Sequence, residues 1–217
     1  MANQVELFYA PQTRATGARV LLEELGAPYI LNVLNFKLGE NRKPDFLAIN
    51  PAGKVPTVRY GETVVTEQVA IYIFLADLFP EKGLTPAVDD PLRGPYLRWF
   101  VHMASCFEPA LVDRALKREE PPQSMSPYGS FDTVMENMRA QLSRGPFVLG
   151  DRLTALDVLW AMGLRWGMMF GIVPEFDEFK EYTARYFERP APVKVLQEDQ
   201  NLAREQEEAA KAAGLPD

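Results

Sequence analysis

The apolar pattern of this chain changes character once, near residue 80, and that switch limits the folds open to it more than any other feature. Before it, apolar runs of strand length alternate with stretches at helical spacing. Val5–Tyr9 (VELFY), closed by Ala10 and Pro11, reads as a buried strand. Ala18, Leu21, Leu22 and Leu25 then recur at helical spacing before Gly26, a residue suited to the left-handed turn that ends a helix. Residues 29–34 (YILNVL) read as a second strand, and the polar stretch 35–50 has room for one short helix near 44–49. Thr57–Tyr60 and residues 63–66 flank Gly61-Glu62 as a hairpin. Residues 67–79 carry Ile71, Phe74, Leu75 and Leu78 on one helical face, and Pro80 stops the helix.

The order is therefore βαβαββα over residues 1–79, an α/β domain. Residues 80–90 (PEKGLTPAVDD) have no periodicity and read as a linker. Everything from 91 to 217 is helical in pattern, which predicts a second, all-α domain. Within it, residues 153–170 are almost all apolar and predict a central buried helix, whereas the tail from Gln197, nearly all charged or Ala, reads as an exposed helix that frays.

Charge and rare residues exclude several functions. Lys plus Arg is 23 and Asp plus Glu is 30, a net charge of −7, which argues against a nucleic-acid binder. One Cys and one His leave no disulfide framework and no thiolate or imidazole metal cage, so no metal is expected. No apolar run approaches the roughly 20 residues of a membrane span. Residues 1–6 have neither the basic start nor the apolar stretch of a signal peptide, so a cytoplasmic protein with no membrane partner is expected.

Four places can carry chemistry. The segment 50–56, NPAGKVP, stands directly before a strand. Pro56 either begins an edge strand in the ordinary trans form or follows a cis bond that turns the N–H and C=O of Val55 outward, ready to pair with a peptide-like ligand. Thr66, Glu67 and Gln68 begin a helix whose N–H groups and dipole favour a carboxylate, while Glu67 can hold an ammonium group; the plainer alternative is a Thr66 cap beside a dipole-complementing Glu67. Tyr9, Thr13 and Arg14 lie in the loop after the first strand, where a hydroxyl donor and a cation could stabilise a thiolate, or where Thr13 could simply cap the next helix. His102 and Cys106 share a helix face with Trp99 and Met103, as a core cluster or the wall of an apolar pocket. Thr154-x-x-Asp157 has the form of a capping box and reads as a folding device.

In this order the segments resemble the glutathione S-transferase family along nearly the whole chain, with a likeness to bacterial members near the beta class. NPAGKVP is similar to the family's NPxGxVP, TEQVAIYIFLAD to its TExxAIxxYLA helix, and GDRLTALDV to its GDxxTxADV box. The resemblance implies a thioredoxin-like first domain, a helical second domain, and a cytoplasmic homodimer that binds glutathione as co-substrate in detoxification. Carried over by position, Val55 pairs with the cysteinyl unit ahead of a cis Pro56, Glu67 and Gln68 hold the γ-glutamyl end, and Lys54, Lys37 or Arg42 meets the glycyl carboxylate.

The chain departs from the family at thiol activation. No Ser or Cys stands in residues 9–19, leaving Thr13 with Arg14, or else Tyr9, to stabilise the sulfur. The expected reaction conjugates glutathione to an apolar small-molecule electrophile held against Trp99, His102, Met103 and Phe107. Glutathione-dependent disulfide or ether cleavage, and ligand binding without turnover, are the alternatives.

Overall fold

A computed structural model describes residues 4–119 and 121–214; residues 1–3, 120 and 215–217, at the ends of the expected domains and within the second, lie outside the described residues. The chain forms two compact units, one of residues 4–79 with 190–214 and one of residues 80–189.

In the first unit, β1 (Val5–Tyr9) pairs parallel with β2 (Tyr29–Val33) and antiparallel with β3 (Thr57–Tyr60), and β3 pairs antiparallel with β4 (Thr63–Val65). The sheet order β2-β1-β3-β4 makes β1 central, which explains its mostly apolar sequence: Val5, Leu7, Phe8 and Tyr9 are all buried, and the one charged member, Glu6, pairs with Arg59 of β3 at 2.7 Å. The helices α1 (Ala15–Leu25), α2 (Pro44–Leu47) and α3 (Gln68–Leu78) complete the expected βαβαββα order. Gly26 closes α1 in the left-handed conformation (φ 57°, ψ 30°), accepting the turn that a Cβ would resist. This is a thioredoxin-like domain.

The helical unit runs through α4 (Arg93–His102), one π-helical turn (Met103–Phe107), α5 (Glu108–Ala115), α6 (Phe131–Leu142), α7 (Ala155–Met169) and α8 (Asp177–Phe187). Helix α7 is the central helix, with Leu156, Trp160, Ala161 and Leu164 fully buried. Gly167 lets it approach its neighbours, because a Cβ there would come within 2.3 Å of Val173. The capping box forms: the Asp157 carboxylate accepts the Thr154 N–H at 2.8 Å, and also the Val148 N–H at 2.8 Å and the Tyr182 hydroxyl at 3.1 Å. Residues 80–90 are stitched into this unit through Leu84 O, which accepts from Ala155 N at 2.9 Å, and the Asp90–Arg152 pair at 2.7 Å.

The tail differs most from expectation. Pro190 opens a helix, α9 (Pro190–Ala212), that groups with residues 4–79 instead of with the helices expected to share its domain. Val195, Asp199 and Ala210 are buried on it, and it packs along α1. Four buried positions in 23 residues, Pro192 being the fourth, are too sparse a stripe to stand out among so many charges.

Candidate active site

The NPAGKVP loop is built almost wholly from local hydrogen bonds. The Asn50 amide donates to Lys54 O and to Thr57 Oγ1, both at 2.9 Å, and its Oδ1 accepts the Ala52 N–H at 3.1 Å. The Thr57 hydroxyl donates to Lys54 O at 2.9 Å, and the Asn41 amide to Gly53 O at 2.9 Å. Gly53 sits at φ +62° with the Asn41 carbonyl where a Cβ would lie 2.8 Å away, so the position admits only glycine without a shift. Arg42 donates to Ala52 O at 3.3 Å and lies over the same turn. The Val55-Pro56 bond is cis. Among the described residues, neither the N–H nor the C=O of Val55 enters a hydrogen bond, so a braced loop presents one unpaired donor and one unpaired acceptor. Lys54 beside it is exposed.

Helix α3 starts without a side-chain cap; Thr66 does not fill that role. Glu67 occupies the cap position, exposed, at φ 67° and ψ 119°, where a non-glycine residue costs about 1–3 kcal/mol. The uncapped first turn leaves N–H groups and the positive dipole end for an anion. Gln68 reaches Arg14 O at 3.5 Å and so ties the start of α3 to the loop after β1.

In that loop the hydroxyls are spent internally. Tyr9 is fully buried and donates to Asp199 on α9; burial, with Asp199 second, raises its pKa well above the ordinary tyrosine value. The expectation of Tyr9 as a thiol-activating donor is thereby corrected: its hydroxyl faces the α9 carboxylate instead of the open side of the sheet edge. The Thr13 hydroxyl donates to Ala10 O at 2.7 Å and accepts the Ala15 N–H at 3.2 Å, half-buried at the mouth of the loop. Arg14 is exposed at the start of α1. Lys37, one of three candidates for a terminal carboxylate, is ion-paired with Glu207 of α9. A groove of about 650 Å³ runs beside the loop, with Pro11, Phe36 and Ala203 giving apolar surface and Gln12, Lys37 and Arg204 polar groups.

The apolar wall expected from the helical unit is not a wall. Trp99, Met103 and Phe107 are buried in that unit's core, with Trp160 of α7 lying 5.6 Å from Trp99 and 5.0 Å from Phe107 between ring centroids. Their apolar spacing therefore marked packing positions. His102 is half-buried, with its ring 5.2 Å from that of Trp99. Burial, then the nearby Arg98 charge, pushes its pKa down to about 4, so it is neutral near pH 7. Cys106 is half-buried, and its thiol is pushed up by burial, unlike a nucleophile.

Residues 3–77 match the family model described as "Glutathione S-transferase, N-terminal domain". The glutathione S-transferase GstA of Escherichia coli O157:H7 is 26% identical over 191 residues, 86% of this chain and 94% of that one. A glutathione transferase homologue from Sulfitobacter, solved with bound glutathione, superposes with a TM-score of 0.71 at 26% identity, covering 92% of this chain and 99% of the other. Its N-terminal domain belongs to the glutathione S-transferase family, and the likeness to relatives and solved structures runs along most of the chain. A maleylacetoacetate isomerase of Aspergillus fumigatus, 29% identical over 153 residues (64% of this chain and 66% of that one), adds a different activity among the relatives of this family member.

Residue by residue, the fold brings Val55, Lys54 and Arg42 together at one loop, and Gln68 against Arg14. It engages Lys37 elsewhere and removes Tyr9, Trp99, Met103 and Phe107 from any open surface. Asn41, Asn50 and Asp199 are the structural supports that sequence reasoning missed. Asn50 was detectable in principle, since an Asn before Pro commonly braces its own turn, whereas Asn41, followed by Arg42, carried no such signal. Asp199 carried no signal, as one acid among many in a charged helix. No described helix is long and apolar enough to cross a membrane.

Proposed function

We propose that the protein is a glutathione transferase in which glutathione lies along the main chain of Val55. The observation that supports this best is the unpaired N–H and C=O of Val55 on a loop braced by Asn41, Asn50 and Thr57. The cysteinyl unit pairs with that backbone, the γ-glutamyl carboxylate takes the uncapped start of α3 at Gln68, and its ammonium group takes Glu67. Lys54 and Arg42 are the cations for the glycyl carboxylate.

Thiol activation falls to Thr13 and Arg14 at the start of α1. Lowering the thiol pKa by about two units from roughly 8.5 takes about 2.7 kcal/mol of preferential thiolate stabilisation. A hydroxyl turned from Ala10 O toward the sulfur, the Arg14 charge and the helix end can share that demand. The thiol proton goes to solvent, the sulfur forms a bond to the electrophilic carbon, and the leaving group departs with its electron pair. The groove of Pro11, Phe36 and Ala203 offers apolar surface for such an electrophile within the same unit. The same reading makes the protein a cytoplasmic homodimer with a role in detoxification.

Titrating glutathione into the protein in a calorimeter tests the reading. Heat is expected, with affinity lost about tenfold or more in Glu67→Gln because a charge-assisted bond is weakened. No heat at millimolar glutathione overturns it. The isomerase relative motivates a second reading, in which glutathione assists an isomerisation and is regenerated. Counting free thiol during turnover separates the two, since transfer consumes it and isomerisation does not.

A further inference from the structure

One buried carboxylate of the first unit has no part in the chemistry above. Asp199 on α9 is only 4% exposed, and three groups of the segment around the β1–α1 loop donate to it. They are the Tyr9 hydroxyl, the Gln12 N–H at 3.2 and 3.1 Å to its two oxygens, and the Thr16 hydroxyl at 2.9 Å. The donors bracket Thr13 and Arg14 on both sides. Gln12 itself is held at φ 56°, a left-handed conformation that a non-glycine residue adopts only when its surroundings impose it. The loop after β1 has thus been shaped around an acceptor supplied by the far end of the chain.

Helix α9 has other ties to the same unit. Lys194 pairs with Glu23 of α1 at 2.9 Å, and the Gln206 amide donates to Leu34 O at 3.0 Å. Arg19 of α1 pairs with Glu198. Asp199 is the α9 side chain directed at the loop itself.

We propose that Asp199 is a positioning residue for the thiol chemistry: it fixes the β1–α1 loop so that Thr13 and Arg14 meet a sulfur bound beside Val55. The proposal rests on the glutathione reading above. It makes the C-terminal helix a working part of a site otherwise contributed by residues 4–79.

The test compares wild type, Asp199→Ala, Asp199→Asn and Lys194→Ala for kcat, glutathione KM, and the pH midpoint of thiolate absorbance in the bound glutathione. Asp199→Ala is expected to lower kcat about tenfold or more and to raise the midpoint, because loosened donors stabilise the thiolate less. Its KM stays within about twofold, since Val55 and Glu67 are untouched. Asp199→Asn keeps an acceptor of the same shape and recovers part of the loss, whereas Lys194→Ala behaves as wild type. An unchanged kcat and midpoint in Asp199→Ala overturn the proposal. A midpoint that falls also overturns it, because the carboxylate would then act only through its charge. If Asp199→Ala does not fold, Tyr9→Phe and Thr16→Val each remove one donor and must show a smaller loss of the same kind; wild-type kinetics in both overturn it. Wild-type protein that gives no heat with glutathione sinks the underlying reading and this proposal with it, while binding with wild-type behaviour in the variants sinks this proposal alone.

Discussion

Two loops border the proposed sulfur position, and they are held in opposite ways. The NPAGKVP loop takes its hydrogen bonds from within about a dozen residues: Asn41, Asn50 and Thr57 carry it. The β1–α1 loop is pinned by an acceptor 187 residues away in sequence, Asp199 to Gln12. A local loop can be recognised from its own residues, because its partners and its glycine lie in one short string. A remotely held loop looks featureless, because what shapes it belongs to another helix. Under the proposed function the comparison also separates binding from activation: the local loop would present backbone to glutathione, and the remote one would set the groups that act on its sulfur.

The largest expected effect combines the two modes. Asp157 sits in a local capping box yet is sealed by Tyr182, and Asp157→Ala leaves buried donors unpaired. Thermal or urea unfolding should show a loss of about 3 kcal/mol or more. Within the local loop, Gly53→Ala should cost about 2 kcal/mol and weaken glutathione binding, since both the positive φ and the Asn41 carbonyl oppose a Cβ. Asn50→Ala should cost about 1–3 kcal/mol at the same loop while leaving the β1–α1 loop unchanged by amide exchange. Exchange that rises equally in both loops would break the comparison.

A pH series sharpens it further. Burial pushes Asp157 up to about 6 from 3.8, so between those values the folded state holds more protons and stability from this group falls as pH rises. His102 is pushed down to about 4 from 6.5, so its contribution is present above 6.5 and is lost as pH falls toward 4. Melting temperature measured from pH 4 to 7 should therefore rise with pH in Asp157→Asn and fall with pH in His102→Gln, relative to wild type. The smallest effect is expected from Lys37→Ala. Its pairing with Glu207 is remote in sequence but exposed, and melting should be unchanged, showing that burial, not sequence distance, gives the Asp199 contacts their weight.

β1 was legible because a central strand buries most of its positions and so is mostly apolar, with Glu6 the one exception, and the capping box because its two members are three residues apart. Trp99, Met103 and Phe107 were misread as a binding wall because helical spacing of apolar residues is the same for a core face and a pocket face. Only the arrival of Trp160 in front of them distinguishes the two. Tyr9 was misread for a related reason: a phenol at a strand's end can face a ligand or a neighbouring acid, and the neighbour came from α9.

Local order along the chain was enough to specify a βαβαββα sheet domain, a helical unit after it, and a proline loop directly before a strand, because each depends on residues that are neighbours in sequence. Which hydroxyls stay available, which aromatics are covered, and which unit the last helix joins depended on contacts spanning most of the chain. Those are decided by which surfaces lose water together, and a one-dimensional pattern carries no record of that pairing.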